Sequence, residues 1–154
     1  MGMKYTHTNI NSPDWERLVR FYIAVFDCRL VPPLRHLRGD WFDRVTGIPG
    51  AEVRGAHVAL PGYEEGGPTL EIFTQTNPAS RRSNPLNGQG LAHIAIHVDD
   101  VEATYRKLLE HGGSADGEIV RQYYDSMDKT LTMIYAKDPD GNVVEIQNWQ
   151  DGTR

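Results

Sequence analysis

Residues 91–113 read LAHIAIHVDDVEATYRKLLEHGG, and the fold is decided there. The first part alternates: Ala92, Ile94, Ile96 and Val98 are apolar, and Leu91, His93, Ala95 and His97 fall between them. Side chains of a strand point to opposite faces in turn, so the apolar set is expected to lie under a helix and His93 to face the other way. The helix follows directly. Asp99 and Glu102 have the spacing of a capping box, and Val101, Tyr105, Leu108 and Leu109 recur at helical intervals. Gly112 and Gly113 supply the stop.

Towards the C-terminus, a less regular strand is read within 118–124. Strands at 130–136 (TLTMIYA) and 142–148 (NVVEIQN) follow, joined by Asp138-Pro139-Asp140-Gly141, a type I turn with proline second and glycine fourth. Towards the N-terminus the same order recurs. A strand at 4–11 leads into a helix with Ser12 as N-cap, Pro13 as its first residue and Trp15, Leu18, Val19, Tyr22 and Phe26 on its apolar face. That helix is expected to end near Asp27-Cys28. A strand from Arg29, interrupted by Pro32-Pro33, an irregular excursion over 39–51 and strands at 53–60 and 69–75 complete the half. His7 aligns with His93, Ile10 with Ile96, Asp14 with Asp100 and Arg20 with Arg106. Self-similarity of this kind marks a repeated structural unit. The expectation is an α+β fold, one domain over 1–154 built of two β-α-β-β-β modules (about 4–76 and about 90–149) with a linker at about 77–89.

Parity along the strands singles out four side chains. Glu71 lies opposite Leu70 and Ile72, Glu145 opposite Val144 and Ile146, and His7 opposite Thr8 and Ile10. With His93 this gives one His and one Glu per module, all on faces turned away from the helices. A single strand His or Glu is ordinarily just solvated. A matched pair in each of two matched modules is different. Two neutral nitrogens and two anionic oxygens nearly balance a divalent ion and suit Mn, Fe, Co or Ni with open positions, whereas a closed structural zinc site favours thiolates.

The totals narrow the classes. The net charge of −5, with no Lys/Arg cluster, argues against a nucleic-acid partner. No apolar run is long enough for a membrane helix, and MGMKYTHT lacks a signal-peptide core. Cys28 is the only cysteine, so no intrachain disulfide can form and a reducing, cytoplasmic location is expected. His57 and His97 lie on site-side faces by parity. His97 is two same-face steps from His93, roughly 13 Å along a strand, so lining is expected of both rather than ligation. Arg44, Arg54, His57, Phe73 and Tyr124 are candidates for contacting substrate.

His7 with its strand and PDWERLVRFYIAVF, the run LAHIAIHVDDVEATYRKLLEHGG and the ending YAKDPDGNVVEIQNW together resemble the vicinal oxygen chelate superfamily, which includes glyoxalases, bleomycin resistance proteins and dioxygenases. The resemblance covers nearly the whole chain. It implies a curved mixed sheet around a metal, with the helices on its outer face. It also implies one divalent ion (Ni, Co, Mn, Fe or Zn) held by His7, Glu71, His93 and Glu145, a small-molecule substrate and a homodimer. The order His, Glu, His, Glu resembles bacterial glyoxalase I. That implies a metal-dependent lyase or isomerase moving a proton beside a chelated carbonyl, with Glu145 the first choice as base and Glu71 the second. Methylmalonyl-CoA epimerase is similar but carries Gln in place of Glu71 and a further Glu near 54–57, where this chain has no carboxylate. A non-catalytic drug-binding protein and an Fe(II) extradiol-type dioxygenase are the alternatives.

Overall fold

In the computed structural model, which describes residues 2–80 and 85–152, the chain separates into two units, Met1–Arg81 and Arg82–Arg154. Part of the linker read at 77–89 lies outside the described residues. The fold is mixed α+β with two mixed sheets, of four and five strands.

Unit one begins with β1 (His7–Asn11) and α1 (Trp15–Phe26). Helix α1 starts later than the sequence suggests. Asp14, not Ser12, is the N-cap, its carboxylate accepting from Arg17 N at 3.0 Å. Ser12 Oγ instead accepts from Asp14 N at 3.0 Å, a local turn that competes with helix one residue after a proline. Leu18 and Tyr22, fully buried, lead the face that α1 presents to its sheet, and Asp27 closes the helix in the left-handed region.

Strand β2 (Arg29–Arg38) runs through Pro32-Pro33, where the sequence suggests a break. The pairing with β3 (Glu52–Ala59) shifts register between Val31 and Arg35, so the two prolines occupy the irregularity and no ladder bond is asked of them. The excursion after Gly39 is also more ordered than expected. It forms α2 (Asp40–Thr46), ended by Gly47 in the left-handed region, and the Asp43 carboxylate accepts from Gly50 N and Ala51 N. Its glycine and proline content disguises a short helix whose return is tied by one carboxylate. Phe42 packs with Leu37, Ala51, Val53 and Phe73.

Strand β4 (Thr69–Gln75) completes the order β1-β4-β3-β2, with β1 parallel to β4 and the rest antiparallel. Ala56, Val58, Leu70 and Ile72 are buried on the face shared with α1. Gly55 lies beside Phe73, where a Cβ would run into the Ile72 carbonyl and the Phe73 ring.

Unit two has β5 (His93–His97), α3 (Val101–Glu110), β6 (Ser114–Ala115), β7 (Val120–Tyr124), β8 (Lys129–Lys137) and β9 (Val143–Asp151). Its sheet runs β5-β9-β8-β6, and β7 also pairs with β8. Asp100, not Asp99, is the N-cap of α3, accepting from Ala103 N at 2.9 Å. Leu108 is fully buried, whereas Leu109, expected on the apolar face, is 42% exposed. In the β8–β9 turn the Asp138 carboxylate, buried, accepts from Asp140 N and Asn142 N, both at 2.9 Å, and from the Asn142 amide at 2.8 Å. That web fixes the hairpin register and so the residue opposite each member of β9.

Candidate metal centre and the family it defines

In unit one, β1 and β4 run parallel with His7 beside Thr69 and Asn9 beside Glu71. The antiparallel β3–β4 pair sets His57 directly opposite Glu71. His7, Glu71 and His57 therefore share the face turned away from α1. His7 Nε2 lies 3.6 Å from Glu71 Oε2, and His57 Nε2 lies 3.2 Å from Glu71 Oε1. Asn9 Nδ2 donates to Glu71 Oε2 at 3.1 Å, which fixes the plane of the carboxylate. His57 Nδ1 is 2.9 Å from Thr69 Oγ1, so the Nε2 edge is turned to the cluster. The rings of His7 and His57 meet edge to face, with centroids 5.5 Å apart. One donor atom from each of the three residues lies within 4.8 Å of the others, the one such grouping among the described residues. Burial holds the His57 imidazole below its ordinary pKa, partly offset by the Glu71 charge; a neutral ring is the form a metal takes.

Unit two repeats the plan. His93 lies beside Val143 in the parallel β5–β9 pair, two residues before Glu145, just as His7 lies beside Thr69, two residues before Glu71. His93 Nε2 is 3.1 Å from Glu145 Oε2. Opposite Glu145 stands Tyr135, as His57 stands opposite Glu71. Burial, and then the charge and hydrogen bond of Glu145, hold the Tyr135 hydroxyl above the ordinary phenol range, so at neutral pH it is a donor to that carboxylate. The Tyr135 ring meets His93 edge to face at 5.2 Å. Tyr135 was not among the sequence candidates. The available signal was parity, which sets Tyr135 on the face opposite the buried Ile134 and Ala136; a count from Asp138 opposite Gly141 would place it across from Val144, whereas Lys137 pairs with Val143 and so Tyr135 with Glu145.

The other candidates fall in different places. Phe73 lies on the Glu71 face with its ring 6.4 Å from that of His57, but it is buried with Phe42 of α2. Arg54 belongs to the opposite face, with Ala56 and Val58, and its guanidinium is 3.8 Å from Glu52. Arg44 is exposed in the last turn of α2. Tyr124 packs its ring against Trp149 at 5.4 Å, away from the His93–Glu145 pair along the strands. The Cys28 thiol is buried and pushed up to about 12, which excludes it as a nucleophile.

Two β-α-β-β-β units, the first interrupted by α2 and the second extended by the two-residue β6, each carry a His–Glu pair at the same register, and together these features define a class. Residues 4–146 match the family model for the Glyoxalase/Bleomycin resistance protein/Dioxygenase superfamily, and the chain belongs to that family. Among curated relatives it is similar to the lactoylglutathione lyase of Haemophilus influenzae, with 27% identity over 94% of this chain and 91% of that one. A probable lactoylglutathione lyase of Vibrio parahaemolyticus is also 27% identical, over 94% and 90% of the two chains. The fold is shared with a solved glyoxalase family protein from Bacillus cereus, at TM-score 0.74 and 21% identity over 96% of this chain and 93% of that one. It is likewise shared with the trypanothione-dependent glyoxalase I of Leishmania major, at TM-score 0.62 and 22% identity over 96% and 87%. No helix among the described residues is long and apolar enough to cross a membrane.

Proposed function

We propose that the protein is a divalent-metal-dependent lyase or isomerase of glyoxalase type, in which His7, Glu71, His93 and Glu145 share one ion. The observation that carries this reading is the repeated register: each module sets a His two positions short of the Glu on the neighbouring parallel strand. The donors fit such an ion in kind, with imidazole nitrogens and carboxylate oxygens already paired within each module at 3.1 to 3.6 Å. Ni, Co, Mn, Fe and Zn all accept this set. Bound there, the ion would supply Lewis-acid stabilisation of the negative charge that grows on a carbonyl oxygen as a neighbouring C–H is deprotonated.

The remaining work falls to the chain. Glu145 is the better base of the two carboxylates. Glu71 is held on both oxygens, by Asn9 and His7 on one and His57 on the other. Glu145 has His93 on one oxygen and the Tyr135 hydroxyl beside it, a smaller set of restraints for a group that must take a proton and return it. The substrate is a small molecule with adjacent oxygens, and the working assembly is taken as a homodimer.

The names of the curated relatives point the test at hemithioacetals of 2-oxoaldehydes. Protein loaded in turn with Ni, Co, Mn, Fe and Zn is offered such hemithioacetals of several thiols, together with simpler 2-oxo compounds, in deuterated water. The expected result is metal-dependent isomerisation or exchange at the carbon beside the carbonyl. Absence of both with every metal, combined with tight binding of a planar aromatic drug by metal-free protein, would replace this reading with that of a drug-binding member of the family.

A further inference from the structure

The two modules are not chemically equal. Opposite its Glu, module one has an imidazole, His57, and module two a phenol, Tyr135. We infer that His57 is itself a metal ligand, so that module one holds the ion with three donors, His7, His57 and Glu71, without needing those of module two. This rests on the reading of the chain as a metalloenzyme and adds to it a donor that the sequence pattern assigns only to lining.

Three features support the assignment. Glu71 oxygens lie 3.6 Å from His7 Nε2 and 3.2 Å from His57 Nε2, close to the ~3–3.5 Å between neighbouring donors of a cation whose bonds are ~2.0–2.2 Å. Thr69 Oγ1 lies 2.9 Å from His57 Nδ1, and a hydrogen bond at the second ring nitrogen is what orients a ligating histidine and fixes its tautomer. In the tautomer that donates Nδ1–H to Thr69, the Nε2 lone pair is presented to Glu71 Oε1 at 3.2 Å, and a cation between the two takes the place of the proton that the other tautomer puts there. The His57 side chain is 15% exposed and that of Glu71 17%, while His7 is 41% exposed, so the cluster opens to water on the His7 side.

Tyr135, neutral at physiological pH, is a poor counterpart. Module two then contributes one nitrogen and one carboxylate to an ion whose retention is secured elsewhere. Glu145 is left with less of the burden of holding it, which suits a carboxylate that detaches to accept a proton.

The test uses full-length protein. Metal-free His93→Ala/Glu145→Ala protein is titrated calorimetrically with Co(II) and Ni(II) beside the wild type. The inference expects one ion per chain in both, the variant weaker by less than ~100-fold, and a further loss of ~100-fold or more when His57→Gln is added, beyond what an outer-shell partner usually contributes. Wild-type Co(II) protein with isotopically labelled histidine should show ring resonances of three histidines shifted far outside the diamagnetic range, a readout needing no substitution at position 57. Wild type that binds one ion while the double variant binds none, or only two strongly shifted histidines, would overturn the His57 assignment and leave the four-donor reading intact. Wild type that binds no ion would overturn both.

Discussion

Glu145→Gln protein, assayed at saturating metal, is expected to lose turnover by roughly 10²–10⁴-fold, the usual contribution of a positioned general base. The substitution keeps an oxygen at the Oε2 position, 3.1 Å from His93 Nε2, and adds no volume on a face where the side chain is 13% exposed. The amide oxygen can still accept from Tyr135. The sheet should therefore hold, because Val144 and Ile146, the residues of β9 that pack under α3, are untouched. Metal affinity should fall because an anionic donor becomes neutral. That loss is removed by saturating the ion, whereas the loss of basicity is not. Wild-type turnover at full occupancy would pass the role of base to Glu71.

Glu71→Ala should behave in the opposite way. Its carboxylate sits among His7, His57 and Asn9, and removing it deprives the module-one cluster of its single negative charge. Affinity for the ion should fall by about 100-fold or more, at or past the top of the range seen when ligand-supporting groups are lost. The fold should survive, since Leu70 and Ile72 keep their places against α1 and the groups left behind on the other face are partly open to water. Excess metal should restore much of the turnover because Glu145 is still present. Titration and steady-state kinetics on the two variants, side by side, separate ligand from base. Equal failure of both at saturating metal would assign both carboxylates to the chemistry.

Much of this was open to the sequence because strand parity is a strict rule. Two-residue alternation in LAHIAIHV, TLEIFTQ and NVVEIQN is enough to put His93, Glu71 and Glu145 on faces away from the helices, and the burial along these strands follows it except at Phe73 and Val143, which are buried on the Glu faces. The repeat was legible too: Asp14 and Asp100, aligned by their distance from His7 and His93, are the two N-caps. Reading each helix start locally assigned the caps to Ser12 and Asp99 instead. Ser12 is drawn into a turn with Asp14 N, and Asp99 stands one residue too early to reach Ala103 N.

What was not legible depends on register. Parity assigns a face but no neighbour, and His57 and Tyr135 matter because of what stands opposite them. Even across the short β8–β9 turn, a count from Asp138 opposite Gly141 comes out one residue off, because Lys137 pairs with Val143. The connection between β3 and β4, residues 60–68 with Gly62, Gly66 and Gly67, leaves several registers open to a reader of the sequence. Helix α2 was hidden for another reason: it is short and bracketed by Gly39 and Gly47, and its ties run through the Asp43 side chain, which no periodicity reports.

We propose one divalent ion per chain, dependent on the His–Glu pairs of both modules. Calorimetric titration of metal-free wild-type protein with Co(II) and Ni(II), checked by elemental analysis after gel filtration, tests it most directly. One ion per chain is expected, bound in the micromolar range or tighter, and weakened both by His7→Ala and by His93→Ala. Two independent ions per chain, each lost with a different histidine, or no binding at all, would contradict it.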